Sequence, residues 1–301
     1  MTKGIAASIV LLATFALAGC NSGGTGGTGT MSVAVTDAPV DSASSVVIQF
    51  SSIEIKPASG AAQTFTLSKP QQIDLMQYQD GKSLPLFQDR QVAAGHYEWM
   101  RLGVDCESVS APSGNADPCY LKNATGTFPL RIPSGAQTGL KLVKGFDVPV
   151  GGTASFTVDF QLHKSVVAPQ NGSTYFSLKP VLRIVDNSRA GAISGTVGTS
   201  LNPGGSGCTP AVYVYSGSNV APTDLGGSGS TQPLLVAPVK LDSQSGKYRY
   251  KAAFLSAGDY TVAFTCDAAQ DNPDQADPGV SFSSPDNATV TANRTTKLSF
   301  P

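Results

Sequence analysis

The sequence predicts an all-β protein made of two tandem β-sandwiches. One segment alternates at the period of two that marks a half-buried strand: Phe156, Val158, Phe160 and Leu162 alternate with Thr157, Asp159 and Gln161. No stretch keeps a helical period, and Ile73–Tyr78, which comes nearest, is short. Glycine (32 residues) and proline (20 residues) are frequent enough to supply the turns between many short strands. A chain of 301 residues accommodates two domains of ordinary size.

The N-terminus has the three parts of a secretory signal peptide. Lys3 gives a basic start, Ile5–Leu17 is an uncharged apolar run, and Leu17–Cys20 reads LAGC. The run is shorter than the roughly 20 apolar residues of a membrane-spanning helix. We therefore expect residues 1–19 to be a signal peptide.

The LAGC segment resembles the lipobox of bacterial lipoproteins. The resemblance implies that a signal peptidase recognises Leu17, Ala18 and Gly19, and that acylation of Cys20, palmitate included, anchors the chain in a lipid bilayer. In double-membrane bacteria an aspartate after the acylated cysteine favours the inner membrane, whereas this chain has Asn21. We expect an outer-membrane anchor, with the periplasmic and cell-surface faces both open. The alternative is an ordinary signal peptide with an incidental cysteine.

A glycine-rich segment follows the lipobox. Asn21–Thr30 reads NSGGTGGTGT and has no apolar side chain to bury. Together with Cys20 it predicts a flexible tether over residues 20–30. Ten such residues span roughly 17 Å, enough to hold a folded domain clear of lipid headgroups.

The first sandwich is expected over residues 31–186. Ile48 and Phe50 alternate with their neighbours, and Ile53 and Ile55 resume the alternation after a one-residue slip at Ser51–Ser52. A slip of this kind predicts a β-bulge.

The second sandwich is expected over residues 192–301. The polar segment Asn187–Gly191 lacks strand character and predicts a domain boundary near residues 186–191. Six strands are predicted beyond it: Ile193–Val197, Val212–Tyr215, Val236–Leu241, Tyr248–Phe254, Tyr260–Cys266 and Thr289–Phe300.

One short pattern occurs in both halves. AGHY at Ala94–Tyr97 and AGDY at Ala257–Tyr260 each place a glycine turn before a tyrosine that opens a strand. A tyrosine in this position ties a corner of a β-sandwich to the opposite sheet. The pattern predicts related sandwich geometry in both halves, with Trp99 sharing the core-facing side of Tyr97.

Four cysteines remain besides Cys20: Cys106, Cys119, Cys208 and Cys266. An even set in an exported protein predicts disulfides. Of the three possible pairings, Cys106–Cys119 with Cys208–Cys266 respects the domain boundary. The last cysteine shares a strand face with Tyr260, Val262 and Phe264, which predicts a bridge that spans the second sandwich. A zinc site is the alternative, but the chain has no C-x-x-C pair and its histidines are distant in sequence.

The first half resembles a family of exported prokaryotic proteins known as domain of unknown function 4382, over about residues 31–185. The resemblance implies a β-sandwich on a lipoprotein and no particular activity. It is carried by an ordered series of motifs: SVAVTDAP at Ser32–Pro39, IEIKP at Ile53–Pro57, IDL at Ile73–Leu75, AGHY at Ala94–Tyr97, PSGAQTGLKL at Pro133–Leu142, VDF at Val158–Phe160 and LKPVL at Leu178–Leu182.

The second half resembles a prealbumin-type or carboxypeptidase-regulatory sandwich. The matching segments are ISGTV at Ile193–Val197, SGKY at Ser245–Tyr248 and LSAGDYTV at Leu255–Val262. Such modules act as spacers or binding platforms. The two resemblances together predict tandem Ig-like or prealbumin-like β-sandwiches after the tether.

Charge excludes several classes of partner. Cleavage of the predicted signal peptide removes Lys3 and no acidic residue. The remaining chain has 19 basic and 21 acidic side chains, a formal charge of −2. It has no basic footprint for nucleic acid and no polybasic membrane patch. Tyr213 and Tyr215 lie opposite Val212 and Val214, so that strand is apolar on both faces. It is either a central strand under an interdomain contact or a platform for a ligand.

Catalytic motifs are largely missing from the sequence. There is no G-x-S-x-G elbow, and His96 and His163 are the only histidines. We expect a non-enzymatic binding, adhesive or structural module of the cell envelope, with an envelope protein or glycan as partner. The alternative is a glycan-active enzyme of the glycoside hydrolase type, using a pair of carboxylates among Asp74, Asp105, Glu107 and Asp159.

Calcium is the one cofactor that the sequence suggests. The loop from Asp267 to Asp277 contains Asp271, Asp274 and Asp277 three residues apart, a spacing unlike the EF-hand. It is either a weak calcium site or a solvated acidic loop. A second oxygen-rich turn contains Asp37 and Asp41, where side-chain capping of the backbone explains Asp37 without a metal.

Overall fold

The computed structural model of the chain describes residues 26–38, 43–106, 118–133, 135–170, 172–226, 231–277 and 279–301. Leu17, Ala18, Gly19 and Cys20 lie outside these residues, as do Asp41 and Glu107. Within them, no helix is long and apolar enough to cross a membrane.

Two sheets are built from strands between residues 28 and 186. One has the order β13-β10-β1-β4, and the other β11-β12-β7-β6-β2-β5-β8, with β3 beside β2 and β9 beside β5. The strands are β1 (Thr28–Ala38), β2 (Ser45–Pro57), β3 (Gln63–Asp74), β4 (Leu84–Ala93), β5 (Gly95–Val104), β6 (Tyr120–Asn123), β7 (Gly126–Arg131), β8 (Leu140–Leu142), β9 (Phe146–Val148), β10 (Thr153–Gln161), β11 (Val166–Val167), β12 (Phe176–Leu178) and β13 (Leu182–Asp186).

Two further sheets are built from strands between residues 190 and 297. Their orders are β17-β18-β14-β21 and β16-β15-β19-β20. The strands are β14 (Ala190–Val197), β15 (Ala211–Ser216), β16 (Leu235–Pro238), β17 (Lys240–Asp242), β18 (Lys247–Ser256), β19 (Gly258–Thr265), β20 (Asp286–Val290) and β21 (Thr295–Lys297).

Helical structure is confined to short turns in the residues described. They are α1 (Gly135–Thr138), α2 (Leu162–Ser165) and 3₁₀ turns at Leu75–Gln77, Asn187–Arg189, Thr199–Leu201 and Ala268–Gln270. The all-β, sandwich-type fold that the sequence predicts is confirmed. Each pair of sheets encloses an apolar core, with Phe50 packed edge-on against Phe160 in the first core and Ile193, Val212 and Val262 fully buried in the second.

Two predicted strands of the second half are wrong as continuous elements. Val236–Leu241 divides into β16 and β17, which belong to different sheets, and Thr289–Phe300 likewise divides into β20 and β21. In both cases the chain crosses from one sheet to the other, which a single straight strand does not allow. Asn293 takes a positive φ of 59° at the second crossing.

The predicted bulge in β2 is confirmed, but Trp99 is not a core residue. The pairing of β2 with β3 and with β5 shifts between Phe50 and Ser52. A second shift, between Lys56 and Pro57, lies opposite the step from Tyr97 to Trp99. Tyr97 is therefore buried while Trp99 is only partly so, with the Lys141 ammonium 4.7 Å from its ring centroid.

β10 is buried on both faces rather than on one. Thr157, Asp159 and Gln161, the polar half of the predicted alternation, are at most 4% exposed, and Leu162 begins α2 instead of continuing the strand. β1 contacts β16, and β13 contacts β18, so the second sandwich packs against this sheet. The part of the sheet formed by β1, β10 and β13 thus lies between a core and the domain contact, whereas the outer face of β4 is exposed.

The predicted tether is shorter than residues 20–30. β1 begins at Thr28, which pairs with Ala93 of β4. Gly29 is buried, and a Cβ at this position would lie 2.4 Å from the Pro149 carbonyl oxygen. The glycine that looked like part of a linker is required by close packing.

The structure contains two disulfides, Cys106–Cys119 and Cys208–Cys266, so each bridge stays within its own pair of sheets. The second bridge does not span the sandwich, contrary to the prediction from its strand face. It joins the chain entering β15 to the end of β19, and these two strands are neighbours in one sheet. The Thr209 amide also donates to the Cys266 carbonyl, at 2.8 Å.

The repeated tyrosine pattern forms the same corner twice. The Tyr97 hydroxyl donates to the Ala93 carbonyl and the Tyr260 hydroxyl to the Ser256 carbonyl, each at 2.7 Å. In both corners the tyrosine and its acceptor lie in opposite sheets of the sandwich. The glycine between them has positive φ, 136° at Gly95 and 156° at Gly258, which favours glycine over other residues.

Removing either corner hydroxyl is expected to destabilise the chain. Tyr97→Phe and Tyr260→Phe should each lower the free energy of unfolding by about 1 kcal/mol, because one partly buried hydrogen bond is lost. Urea denaturation measures the loss. Tyr120→Phe is the control, since its hydroxyl has no hydrogen bond among the residues described; equal losses in all three variants would contradict the corner role.

Candidate functional site

Asp37 is a buried carboxyl at the contact between the two sandwiches. Asp37 is 6% exposed, and neither of its carboxyl oxygens has a hydrogen-bond partner among the residues described. The capping role expected from the sequence is therefore wrong. Burial raises the pKa of Asp37 well above its usual range, and the charge of Asp159 raises it further. The Leu162 amide and the Gln79 side chain lie close enough to lower it in part, although neither reaches hydrogen-bond geometry with the carboxyl.

A small cavity lies beside this carboxyl. It has a volume of about 30 Å³ and is lined by Asp37, Asp159 and the β16 segment of the second sandwich. This is room for one or two water molecules. Phe254, which also lines it, has a positive φ of 54°, a strained conformation for an aromatic residue.

The carboxylates proposed for glycoside hydrolysis have separate structural partners. Asp159 accepts from Arg183 at 2.5 Å and from Gln161 at 3.0 Å. Asp74 caps the turn that begins at Leu75. Asp105 accepts from Gln49 and Ser51. Each of the three carboxylates thus has a hydrogen-bonding role of its own in the fold.

The two histidines lie in different settings. His96 is half exposed, with its Nδ1 atom 2.9 Å from Asp147 Oδ1. His163 lies in α2. Its electrostatic interaction with Asp271 lowers the pKa of that aspartate and so offsets part of the rise that burial causes. Its neighbour Lys164 donates to the Pro233 carbonyl across the domain contact, and burial lowers the pKa of that lysine to about 8.

Three carboxylates converge on the second sandwich, and they are not the three that the sequence indicated. Oxygens of Asp224, Asp271 and Asp277 lie within 4.8 Å of one another. Asp274 is not in the cluster, and Asp224 comes from a loop about 50 residues earlier in the chain. No local pattern in the sequence links these two loops.

The acidic loop packs Asp271 against a second apolar cluster, while Asn272 and Asp274 remain exposed. The Tyr213 hydroxyl and the Leu225 amide both donate to Asp271, at 2.6 and 3.0 Å. Phe282 packs edge-on against the Tyr213 ring, with centroids 5.2 Å apart. Burial raises the pKa of Asp271 above its usual range.

Tyr213 and Tyr215 are fully buried beneath these loops. β15 is indeed a central strand, and the loop that covers its second face lies near α2 of the first sandwich, because His163 and Lys164 both interact electrostatically with Asp271. A ligand platform on these two rings is excluded, because neither is exposed.

A groove of about 510 Å³ runs over the outer face of the sheet β17-β18-β14-β21. Ser194 and Thr196 of β14 lie on its floor, and Asp80 of the first sandwich forms part of a wall. Lys240 Nζ donates to Asp80 Oδ2 at 3.1 Å and to Gln79 Oε1 at 2.9 Å. The first sandwich thus builds one side of the groove and the second sandwich builds the rest.

The lining of the groove is basic in a chain that is slightly acidic overall. Its carboxylates are Asp80 and Asp242, and its four cationic side chains are Lys240, Arg249, Lys251 and Lys297. These cations are scattered along the sequence, so composition does not show them. One local signal exists, the KYRYK alternation at Lys247–Lys251, which places basic residues on one face of β18.

Comparison with known proteins identifies a family for the first half. The model of the family described as "Domain of unknown function (DUF4382)" matches residues 28–180, half of the chain. No curated protein matches. The prealbumin-type resemblance of the second half stays a prediction.

Solved structures align only weakly. The Bacillus anthracis TIE protein aligns at 10% identity over 91% of this chain, with a TM-score of 0.20, and the chain spans only 33% of that protein. GBS52, the minor pilin of Streptococcus agalactiae, aligns at 10% identity over 90% of this chain and 94% of its own, with a TM-score of 0.19. The fimbrial anchor protein Mfa2 of Porphyromonas gingivalis aligns at 12% identity over 80% and 79%, with a TM-score of 0.19. Similarity at this level assigns no function to the chain.

Proposed function

Because the chain belongs to the DUF4382 family, whose description specifies no activity, we propose a function from its own structure: it is a lipid-anchored, non-enzymatic binding module of the cell envelope. The groove beside the domain contact is the observation that carries the proposal. It is concave, lined by polar and charged side chains, and built from both sandwiches. A recessed site with several convergent polar groups is typical of a binding surface.

Two features support the envelope location. The disulfides Cys106–Cys119 and Cys208–Cys266 belong to an oxidising compartment. The LAGC segment ending at Cys20 supports acylation, and the outer membrane is the proposed location because Asn21 follows. Since β1 begins at Thr28, the tether comprises about seven residues with a span of roughly 15 Å.

Labelled palmitate tests the anchor. The wild-type chain, expressed in a bacterium that has an outer membrane, should incorporate the label and sediment with outer membranes. Cys20→Ala should lose the label and should no longer sediment with outer membranes. Equal labelling of both chains would refute acylation at Cys20.

Retention on isolated envelopes tests the binding role. The full chain with Cys20→Ser, purified without its acyl anchor, should co-sediment with envelopes from cells that lack the gene. Lys251→Gln/Lys297→Gln, two changes in the groove, should release it. If this variant is retained as well as the parent chain, the groove is not the binding site.

Calcium is a second proposal, supported by the convergence of Asp224, Asp271 and Asp277. Calcium takes six to eight oxygen ligands, and carboxylates from two loops supply up to six. Millimolar calcium should raise the midpoint of thermal unfolding relative to chelator. Asp277→Asn should abolish the shift, whereas Asp274→Asn, in the same loop but outside the cluster, should retain it. A midpoint that calcium does not move would mean that the carboxylates serve only to hold the loops.

A further inference from the structure

We infer that the groove binds an acidic polysaccharide, with Lys251 and Lys297 contacting its anionic groups. The inference rests on the proposed binding role and specifies its ligand. It depends on the positions of the cationic side chains, on which of them already pair with a carboxylate, and on the hydroxyl groups that line the groove.

The two lysines lie on either side of one serine. Ser194 of β14 pairs with Lys251 of β18 on one side and with Lys297 of β21 on the other. Adjacent strands are about 4.8 Å apart, so the two lysine backbones are separated by roughly 10 Å across the groove floor. Anionic groups spaced along a chain can meet both ammonium groups at once.

These two ammonium groups are the ones available to a ligand. Lys240 is paired with Asp80 at 3.1 Å and Arg249 with Asp242 at 2.7 Å. Lys297 Nζ contacts only the Ser194 hydroxyl, at 2.9 Å. Lys251 Nζ has no hydrogen-bond acceptor among the residues described, and both lysines are exposed. The groove therefore has two positive charges that form no ion pair with a carboxylate among the residues described.

The rest of the lining favours a sugar chain over a lipid or an apolar peptide. Ser194, Thr196 and Ser299 contribute hydroxyl groups, which can donate to and accept from saccharide hydroxyls. Tyr250 is buried and donates to the Leu298 carbonyl, so its ring is not offered to a ligand. Leu241 is the one large apolar side chain exposed in the lining.

Binding to a defined polymer tests the inference. The full chain with Cys20→Ser should bind polygalacturonate, a polymer of uronic acids, but not neutral dextran of similar length. Lys251→Gln/Lys297→Gln should weaken binding tenfold or more. Lys141→Gln/Lys179→Gln, which makes the same charge change on the exposed surface of the first sandwich, should leave the affinity unchanged. Binding should weaken as salt rises, because exposed charges are screened.

Other outcomes would overturn the inference. Equal affinities of the two double variants, or competition by dextran, would show that the groove does not recognise anionic sugars. Groove-dependent binding to vesicles of anionic phospholipid, without binding to polygalacturonate, would replace a polysaccharide with a lipid headgroup. If no polymer binds but envelope retention still requires Lys251 and Lys297, the ligand class is wrong and the proposed binding role stands. If Lys251→Gln/Lys297→Gln binds polygalacturonate and is retained on envelopes as well as the parent chain, the proposed binding role of the groove is refuted as well.

Discussion

Asp37→Asn is expected to stabilise the chain above neutral pH and to remove a pH dependence that the wild-type chain has. An unfolded aspartate has a pKa of about 3.9, whereas burial raises the pKa of Asp37 in the folded chain. Between these two pKa values the folded state holds a proton that the unfolded state has released. Stability is therefore highest below the unfolded pKa and falls as the pH rises toward the folded pKa.

The amide mimics the protonated acid and cannot ionise. Wild-type and Asp37→Asn chains should have similar unfolding free energies near pH 4, and the variant should be more stable by about 1–3 kcal/mol at pH 8, the range for an unsatisfied buried polar group. Chemical denaturation at a series of pH values measures the difference. A variant less stable than wild type at pH 8 would mean that the ionised Asp37 carboxylate has a partner in solution.

Asp159→Asn is the matched control and should have the opposite sign. Asp159 accepts from Arg183, and the two side chains are only 6% and 17% exposed. Removing its charge leaves a largely buried guanidinium without a counterion, at a cost of about 3 kcal/mol. Two neighbouring aspartates on paired strands, β1 and β10, are thus expected to respond in opposite directions to the same substitution.

The contrast between these aspartates shows where sequence reasoning ends. The β10 strand, the β2 bulge and the two tyrosine corners were predictable, because each depends on residues adjacent in the chain. The burial of the polar face of β10 was not, because it depends on the second sandwich. The burial of Asp37 depends on the second sandwich, whose β16 begins about 200 residues later. Nothing in the TDAP motif itself indicates that the carboxyl faces another domain.

The same limit explains the errors at the candidate sites. Asp224 joins the acidic cluster from a distant loop, and Trp99 turns outward because a bulge forms between β2 and β5. The groove combines one wall of the first sandwich with strands of the second, so its cations are not contiguous. Only the KYRYK alternation of β18 offered a local signal, and that pattern alone describes any solvated strand.

Removing the disulfides is expected to show whether the two sandwiches unfold as separate units. Cys208→Ser/Cys266→Ser opens a loop of 58 residues and Cys106→Ser/Cys119→Ser one of 13 residues. On the chain-entropy model the losses are about 4 and 3 kcal/mol. Scanning calorimetry of the oxidised chain should give two transitions, and each double variant should lower only one of them.

The structural reason is that each disulfide lies within one pair of sheets, while the contacts between the pairs include isolated polar bonds such as Lys240–Asp80 and Lys164–Pro233. The exposed Lys240–Asp80 ion pair contributes at most about 1 kcal/mol, so it couples the two unfolding transitions weakly. If either double cysteine variant lowers both transitions, the apolar part of the contact, where β16 meets β1, holds the two sandwiches together as one cooperative unit. In that case the groove would keep a fixed shape in solution, because its Asp80 wall could not move away from its floor without unfolding the chain.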